Sequence, residues 1–344
     1  MTKTKAIKIK LGISIGDPNG IGPEVVLRTL SDNRLLELFT IILAQVKALQ
    51  IQDLRFNFIE SVEGVKNGQI NIVTVCDEEF KYSFGEESKA SGEISFESLS
   101  AAVESLKLKE IDALVTAPIN KNAIQSADFE FPGHTEYLQQ ADEAADSLML
   151  MLSDFARIGV VTGHVPLKEV GANLTSELIL AKLTVLSKSL KEDFSIRKPK
   201  IAVMGLNPHA GDNGLLGTEE QELIIPAITQ AKIIGILAFG PYAADGFFGS
   251  NKYTEFDGIL AMYHDQGLIP AKSFSFGSGV NFTAGLTFIR TSPDHGTAFE
   301  IAGQGIANEG SFRTALYNAA ELCKNRTLNA ELSEGALVVN KSRN

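Results

Sequence analysis

Short apolar runs, each closed by a polar or glycine-bearing turn, alternate along this chain with stretches whose apolar residues recur at helical spacing. The opening run AIKIKLGISIG puts Ile7, Ile9, Leu11, Ile13 and Ile15 on alternate positions, the period of a strand with one buried face. GDPNGIG follows, then PEVVLRTL, where Pro23 suits a first helical position because the N–H it lacks would have no intrahelical partner there. Further strand-like runs are FTIILAQV, INIVTVC, IDALVTAP, RIGVVTG, KIAVMGLNP, FDGILAMY and AGLTFIR. Between them, Phe96, Leu99, Val103 and Leu106 mark one helical face, and Ile179, Leu183, Leu186 and Leu190 another, the second behind Thr175 as N-cap. Strands alternating with helices predict an α/β fold with a largely parallel sheet, because parallel neighbours need a crossover connection, usually a helix.

At 344 residues the chain has room for about two domains and a cleft between them. No Pro/Ser-rich linker divides it. The loop SADFEFPGHTE and the segment after Arg290 are the expected crossings, giving a discontinuous first lobe of residues 1–130 plus 291–344 and a second lobe of 131–290. The last helical stretch, SFRTALYNAAELCKN, is then expected to pack back against the first lobe.

A net charge of −11 argues against general affinity for nucleic acid or an anionic membrane, either of which needs a basic face. An anionic small molecule is still served by a few cations gathered locally. Cys76 and Cys323 stand far apart, so neither a disulfide framework nor a thiolate metal site is suggested. MTKTKAIKIK has no apolar signal core, and no run reaches the ~18 apolar residues of a membrane span, so a cytoplasmic protein is expected.

Of the 5 histidines, His164 closes RIGVVTGH, His209 closes KIAVMGLNPH and His264 closes GILAMYH. Residues at the carboxyl ends of strands in an open α/β sheet converge on one crevice, and neutral imidazoles there suit a divalent ion with open coordination positions. An anion site is also expected. FPGHTEYL reads as a loop entering a helix at Gly133, offering His134, Thr135 and free backbone N–H groups. Lys272, Asn281 and Arg290 add donors suited to phosphate or carboxylate. GDPNGIGPEV fails the dinucleotide fingerprint, since Val25 stands where a third glycine belongs; a tight turn explains its glycines at least as well.

Taken together, GDPNGIGPEV, TAPINK, GHTEYL, NPHAGDNG, YHDQGLIPAK and DHGTAFEIAGQGIA resemble the 4-hydroxythreonine-4-phosphate dehydrogenase family of pyridoxal phosphate biosynthesis, in order from about residue 12 to residue 310. More remotely, residues 16–25 and 295–303 are similar to stretches of isocitrate and isopropylmalate dehydrogenases. The resemblance implies two α/β/α lobes around a cleft, NAD as cofactor with NADP as the alternative, and one divalent ion (zinc, cobalt or magnesium) per site. It implies His164, His209 and His264 as metal ligands, and His134, Thr135, Lys272, Asn281 and Arg290 as contacts of a phosphorylated substrate. It further implies a homodimer in which the neighbouring subunit completes the cleft, and places His295 and Gly296 in the cofactor loop of the remote relatives. The implied reaction oxidises the 3-hydroxyl of 4-phosphooxy-L-threonine and releases CO₂.

Asp265 and Lys121 are the proton-abstracting candidates by type, with Asp265 alternatively orienting His264. Residues 36–90 match no motif of the family and are where substrate choice is expected to lie in part. A sister group acting on phosphorylated threonate or erythronate is the nearest rival, and acyl or phosphoryl transfer on a similar fold the next.

Overall fold

The computed structural model describes residues 8–45, 54, 56–75, 80–125, 129–144 and 146–334; Ile7 and Cys76 lie outside these. Its strands are β1 (Ile9–Ser14), β2 (Phe39–Gln45), β3 (Phe56–Ile59), β4 (Ile70–Thr74), β5 (Ala113–Thr116) and β6 (Leu148–Leu152). They continue with β7 (Arg157–Val160), β8 (Lys200–Met204), β9 (Leu237–Tyr242), β10 (Gly258–Ala261), β11 (Val280–Ala284) and β12 (Ile289–Pro293). All join one sheet in the order β3-β4-β2-β1-β5-β12-β11-β6-β7-β10-β8-β9.

The largely parallel sheet expected from the sequence is present, with an antiparallel centre. β3, β4, β2, β1, β5 and β12 form one parallel block, and β7, β10, β8 and β9 another. Between them β11 runs antiparallel to both β12 and β6, and β6 antiparallel to β7, so the two blocks point in opposite directions. The run AGLTFIR, predicted as one strand, is divided: Ala284 ends β11, Ile289 and Arg290 open β12, and residues 285–288 link them. The chain turns at Gly285, whose φ of +95 favours glycine and where a Cβ would lie 2.5 Å from the Asp146 carbonyl oxygen.

β1 was expected to bury one face and buries both. Leu11, Ile13 and Ile15 are fully buried in the same core as Phe312, Ala315 and Leu316 of the C-terminal helix Gly310–Glu334. On the other face, small Gly12 and Ser14 admit the helix Lys89–Lys107, whose Ser98 hydroxyl accepts from the Ile15 N–H at 3.1 Å. That helix buries Leu99, Val103 and Leu106 as its spacing predicts. Thr175 caps the helix Ser176–Glu192 as read from sequence, its side chain accepting from the Leu178 N–H.

The helix Gly310–Glu334 packs on β12, β5 and β1, and also reaches β11 and the helix Ser176–Glu192. Arg326 fastens it there: Nε donates to Asp193 Oδ1 at 2.8 Å, and Nη1 donates to the carbonyls of Leu286 and Thr287. Asp193 is buried, so its removal strands a guanidinium. Asp193→Ala is expected to cost about 3 kcal/mol of unfolding free energy, read from urea denaturation. A loss under ~0.5 kcal/mol, the range of an ordinary surface change, would make this tie incidental.

Candidate active site

Where the two blocks meet, Met149 and Met151 of β6, Asn281 of β11, and Arg290 and Ser292 of β12 line the base of a cavity of about 210 Å³. Alternation along each strand turns these side chains to one face. The walls come from Ala117 to Lys121 after β5, the start of the helix His134–Ala141, His164 after β7, the helix His264–Ser275, and Pro293 to Gly296 after β12.

Arg290 is the largest of the fully buried side chains, with 2% of its surface exposed. Its Nη2 and Nε donate to Thr116 Oγ1 at 2.6 and 3.1 Å, and its Nη1 to Thr283 Oγ1 at 3.3 Å. No carboxylate pairs with it among the described residues. Burial pushes its pKa down to about 9, opposed by the charge of Glu136. The guanidinium still carries its charge at neutral pH, hydrogen-bonded to hydroxyls, with Glu136 acting on it only at a distance.

His264 opens the helix His264–Ser275, and His264, Leu268 and Lys272, spaced four apart, all line the cavity from its one face. The end of β7 is tied to the end of β10, Val161 N–H donating to the Ala261 carbonyl and Thr162 Oγ1 to the Met262 carbonyl. This pairing brings the His164 and His264 rings to 5.8 Å between centroids. Asp265 Oδ1 lies 2.7 Å from His264 Nδ1, which fixes the tautomer and leaves Nε2 with a free lone pair. The Asp265 side chain is 72% exposed and outside the cavity. Lys121 is inside it, Nζ 3.4 Å from His164 Nε2.

Several buried polar atoms here have no hydrogen-bond partner: His134 Nε2, Glu136 Oε2, Asn281 Oδ1 and His295 Nε2. Burial, with Arg290 and Lys121 adding, pushes the His134 pKa well below its ordinary value and keeps the ring neutral. Glu136 is held below the usual carboxylate range chiefly by His164, whose Nδ1 is 3.6 Å from Oε1. A cavity with cations at Lys121, Lys272 and Arg290 and unsatisfied polar atoms between them is chemically a receptor for a small, multiply anionic, hydrogen-bonding molecule.

The structure brings together His134, Thr135, His164, His264, Lys272, Asn281 and Arg290. It does not bring His209 to them: that residue is exposed, in the turn after β8, and lines no part of the cavity. Sequence reasoning passed over Thr116 and Thr283, which hold Arg290, and Glu136 within the quoted GHTE motif. It also passed over Gln266, which accepts from Met262 N–H at 2.7 Å and donates to the Gly205 carbonyl at 2.6 Å, tying β10 to β8. The GDPNGIGPEV loop spends its groups on the fold. Ile21 N–H donates to the Thr297 carbonyl, and the buried Asp17 carboxylate accepts from Asn19 N–H and the Ser91 hydroxyl.

One chain supplies two imidazoles toward a divalent-ion site in this cavity. His164 and His264 present imidazole nitrogens to the same space, but no group of three or more His, Cys, Asp or Glu is arranged for a metal among the described residues.

Comparison with known proteins agrees with the cavity's chemistry. A family model described as pyridoxal phosphate biosynthetic protein PdxA matches residues 29–319. A 4-hydroxythreonine-4-phosphate dehydrogenase of Bacteroides thetaiotaomicron is 47% identical over 328 residues, 93% of this chain and 90% of that protein. An Oceanobacillus iheyensis relative, provisionally named D-threonate 4-phosphate dehydrogenase, is 39% identical over 91% of this chain and 97% of its own. The crystal structure of 4-hydroxythreonine-4-phosphate dehydrogenase from Klebsiella pneumoniae superposes with a TM-score of 0.81 at 31% identity, covering 93% of this chain and 99% of that one. With the match spanning most of the chain, this protein belongs to the pyridoxal phosphate biosynthetic protein PdxA family.

Proposed function

We propose that this chain is a NAD- and divalent-metal-dependent dehydrogenase that oxidises 4-phosphooxy-L-threonine at its 3-hydroxyl, with decarboxylation to 3-amino-2-oxopropyl phosphate. The observation that carries this reading is Arg290, a buried guanidinium without a carboxylate partner at the base of a cavity that also presents Lys121 and Lys272. A substrate phosphate supplies the missing charge.

In this reading Arg290, Lys272, Asn281 and Thr135 hold the phosphate, and neutral His134 donates or accepts beside it. Binding at that remote group orients C3 for hydride transfer. His164 and His264 hold the ion, and His209, exposed and outside the cavity, reaches it from a second copy of the chain. When bound, the ion acidifies the substrate hydroxyl and draws electron density from the ketone that replaces it. Asp265 orients His264 from outside, and Lys121 stands inside the cavity beside His164. His295, whose buried Nε2 has no partner among the described residues, is read as a contact of the cofactor. With NAD⁺ bound, hydride would pass from C3 to its nicotinamide, and the resulting β-keto acid would release CO₂ as the C–C bonding pair moves toward the ketone oxygen, the enolate then taking a proton from solvent at carbon.

The Oceanobacillus relative favours a second reading, in which the substrate bears a hydroxyl in place of the amine. Supplying the purified protein with NAD⁺, a divalent metal and each phosphorylated acid separates the two by reduced-nicotinamide absorbance. Signal with 4-phosphooxy-L-threonine, abolished by a chelator, is expected. Signal from the hydroxy acid alone would replace the first reading with the second.

A further inference from the structure

We infer that Glu220 is a positioning residue, whose buried carboxylate holds the left-handed turn His209–Asn213 and so fixes the direction in which His209 leaves the surface. This rests on the reading of His209 as a ligand of the metal. The turn has an unusual backbone. His209 (φ 55, ψ 26), Ala210 (φ 50, ψ 46), Asp212 (φ 41, ψ 57) and Asn213 (φ 56, ψ 28) are left-handed on either side of Gly211 (φ 79, ψ −5). Side-chain-bearing residues visit this region singly, and a run of them persists only where the surroundings impose it.

Glu220 is what imposes it. Only 2% exposed, it accepts through Oε1 from the backbone N–H groups of Leu206 at 2.8 Å and Asn207 at 2.7 Å, and through Oε2 from Asn207 Nδ2 at 3.0 Å. The bare backbone of Gly211 packs against the same carboxylate, so closely that a Cβ there would lie 2.5 Å from Oε2. Glu220 also opens a π-helical turn, Glu220–Ile224, a geometry that recurs near functional residues.

The root of the turn is anchored as well. Gly205 N–H donates to the Tyr242 carbonyl, and the Gly205 carbonyl accepts from Gln266, two residues beyond His264. From this base the His209 side chain projects without a hydrogen bond or ion pair among the described residues, with Leu215 and Leu216 exposed beside it at 79% and 42%. A strained, buttressed turn that holds an exposed imidazole away from its own chain is an arm built to act on something outside that chain.

The test uses the full-length protein and Zn²⁺ binding by calorimetry on the metal-free form, with His209→Ala, Glu220→Gln and their combination. Gln keeps one acceptor but puts an amide donor against Asn207, loosening the turn. Glu220→Gln is expected to weaken Zn²⁺ binding about 10- to 100-fold, as loss of an orienting partner does. The double variant should bind no more weakly than His209→Ala alone, because both changes act through one ligand. Gly211→Ala, which presses a methyl on the Glu220 carboxylate, should repeat this pattern if Glu220→Gln folds poorly. Wild-type affinity in Glu220→Gln, or a loss that adds in full to that of His209→Ala, would overturn the positioning role and leave the ligand reading standing. Unchanged affinity in His209→Ala itself would remove the ligand reading and this inference with it.

Discussion

Arg290→Met is expected to lower kcat/KM for the phosphorylated substrate roughly a thousandfold, the loss of two charge-assisted hydrogen bonds in a dry site. Because the residue is far from the cavity rim, KM for NAD⁺ should stay within about twofold. Stability should move the other way. The guanidinium is buried with no ion-pair partner among the described residues, and its contacts are hydroxyls of Thr116 and Thr283. Desolvating a cation without a carboxylate partner is unfavourable, so an apolar side chain of similar length is expected to leave the melting temperature equal or higher. Activity lost while stability is kept or gained is the signature of a residue retained for ligand binding. If melting temperature and activity fell together, Arg290 would be a structural residue.

The legibility of this protein from its sequence follows how local each signal is. Thr175, Pro23 and the periodicity of Lys89–Lys107 were readable because capping and amphipathicity are decided within a turn or two of chain. The antiparallel centre was not, because an apolar run such as AGLTFIR carries no mark of its neighbours' direction. That AGLTFIR is broken between two strands is decided by Gly285 against Asp146. Arg290 was picked by type and resemblance, yet what makes it informative, burial over Thr116 from a strand far away in sequence, is a tertiary fact. Gln266 and Glu220 were missed for the same reason: their partners lie 61 and 14 residues away. The groups of the GDPNGIGPEV loop serve packing against Thr297 and Ser91.

His264→Ala and His209→Ala are each expected to weaken metal binding by at least ~100-fold, more than loss of an orienting partner costs, and to abolish turnover with the fold intact. The first follows from the cavity, where His264 faces His164 with its Nε2 free. The second follows from the proposal that His209 serves a neighbouring chain, since within its own it is exposed and apart from the cavity. The two lesions then fall on opposite sides of a shared site, and mixing the inactive proteins distinguishes this arrangement from any single-chain one. After exchange of subunits, a hybrid dimer pairs the unaltered cavity of the His209→Ala chain with the unaltered His209 of the His264→Ala chain. Half the dimers carry one such site each, so the mixture should regain about one quarter of native turnover of 4-phosphooxy-L-threonine by reduced-nicotinamide absorbance. A mixture of demonstrably exchanged subunits that remains as inactive as its parents would contradict a site completed by His209 of a second chain.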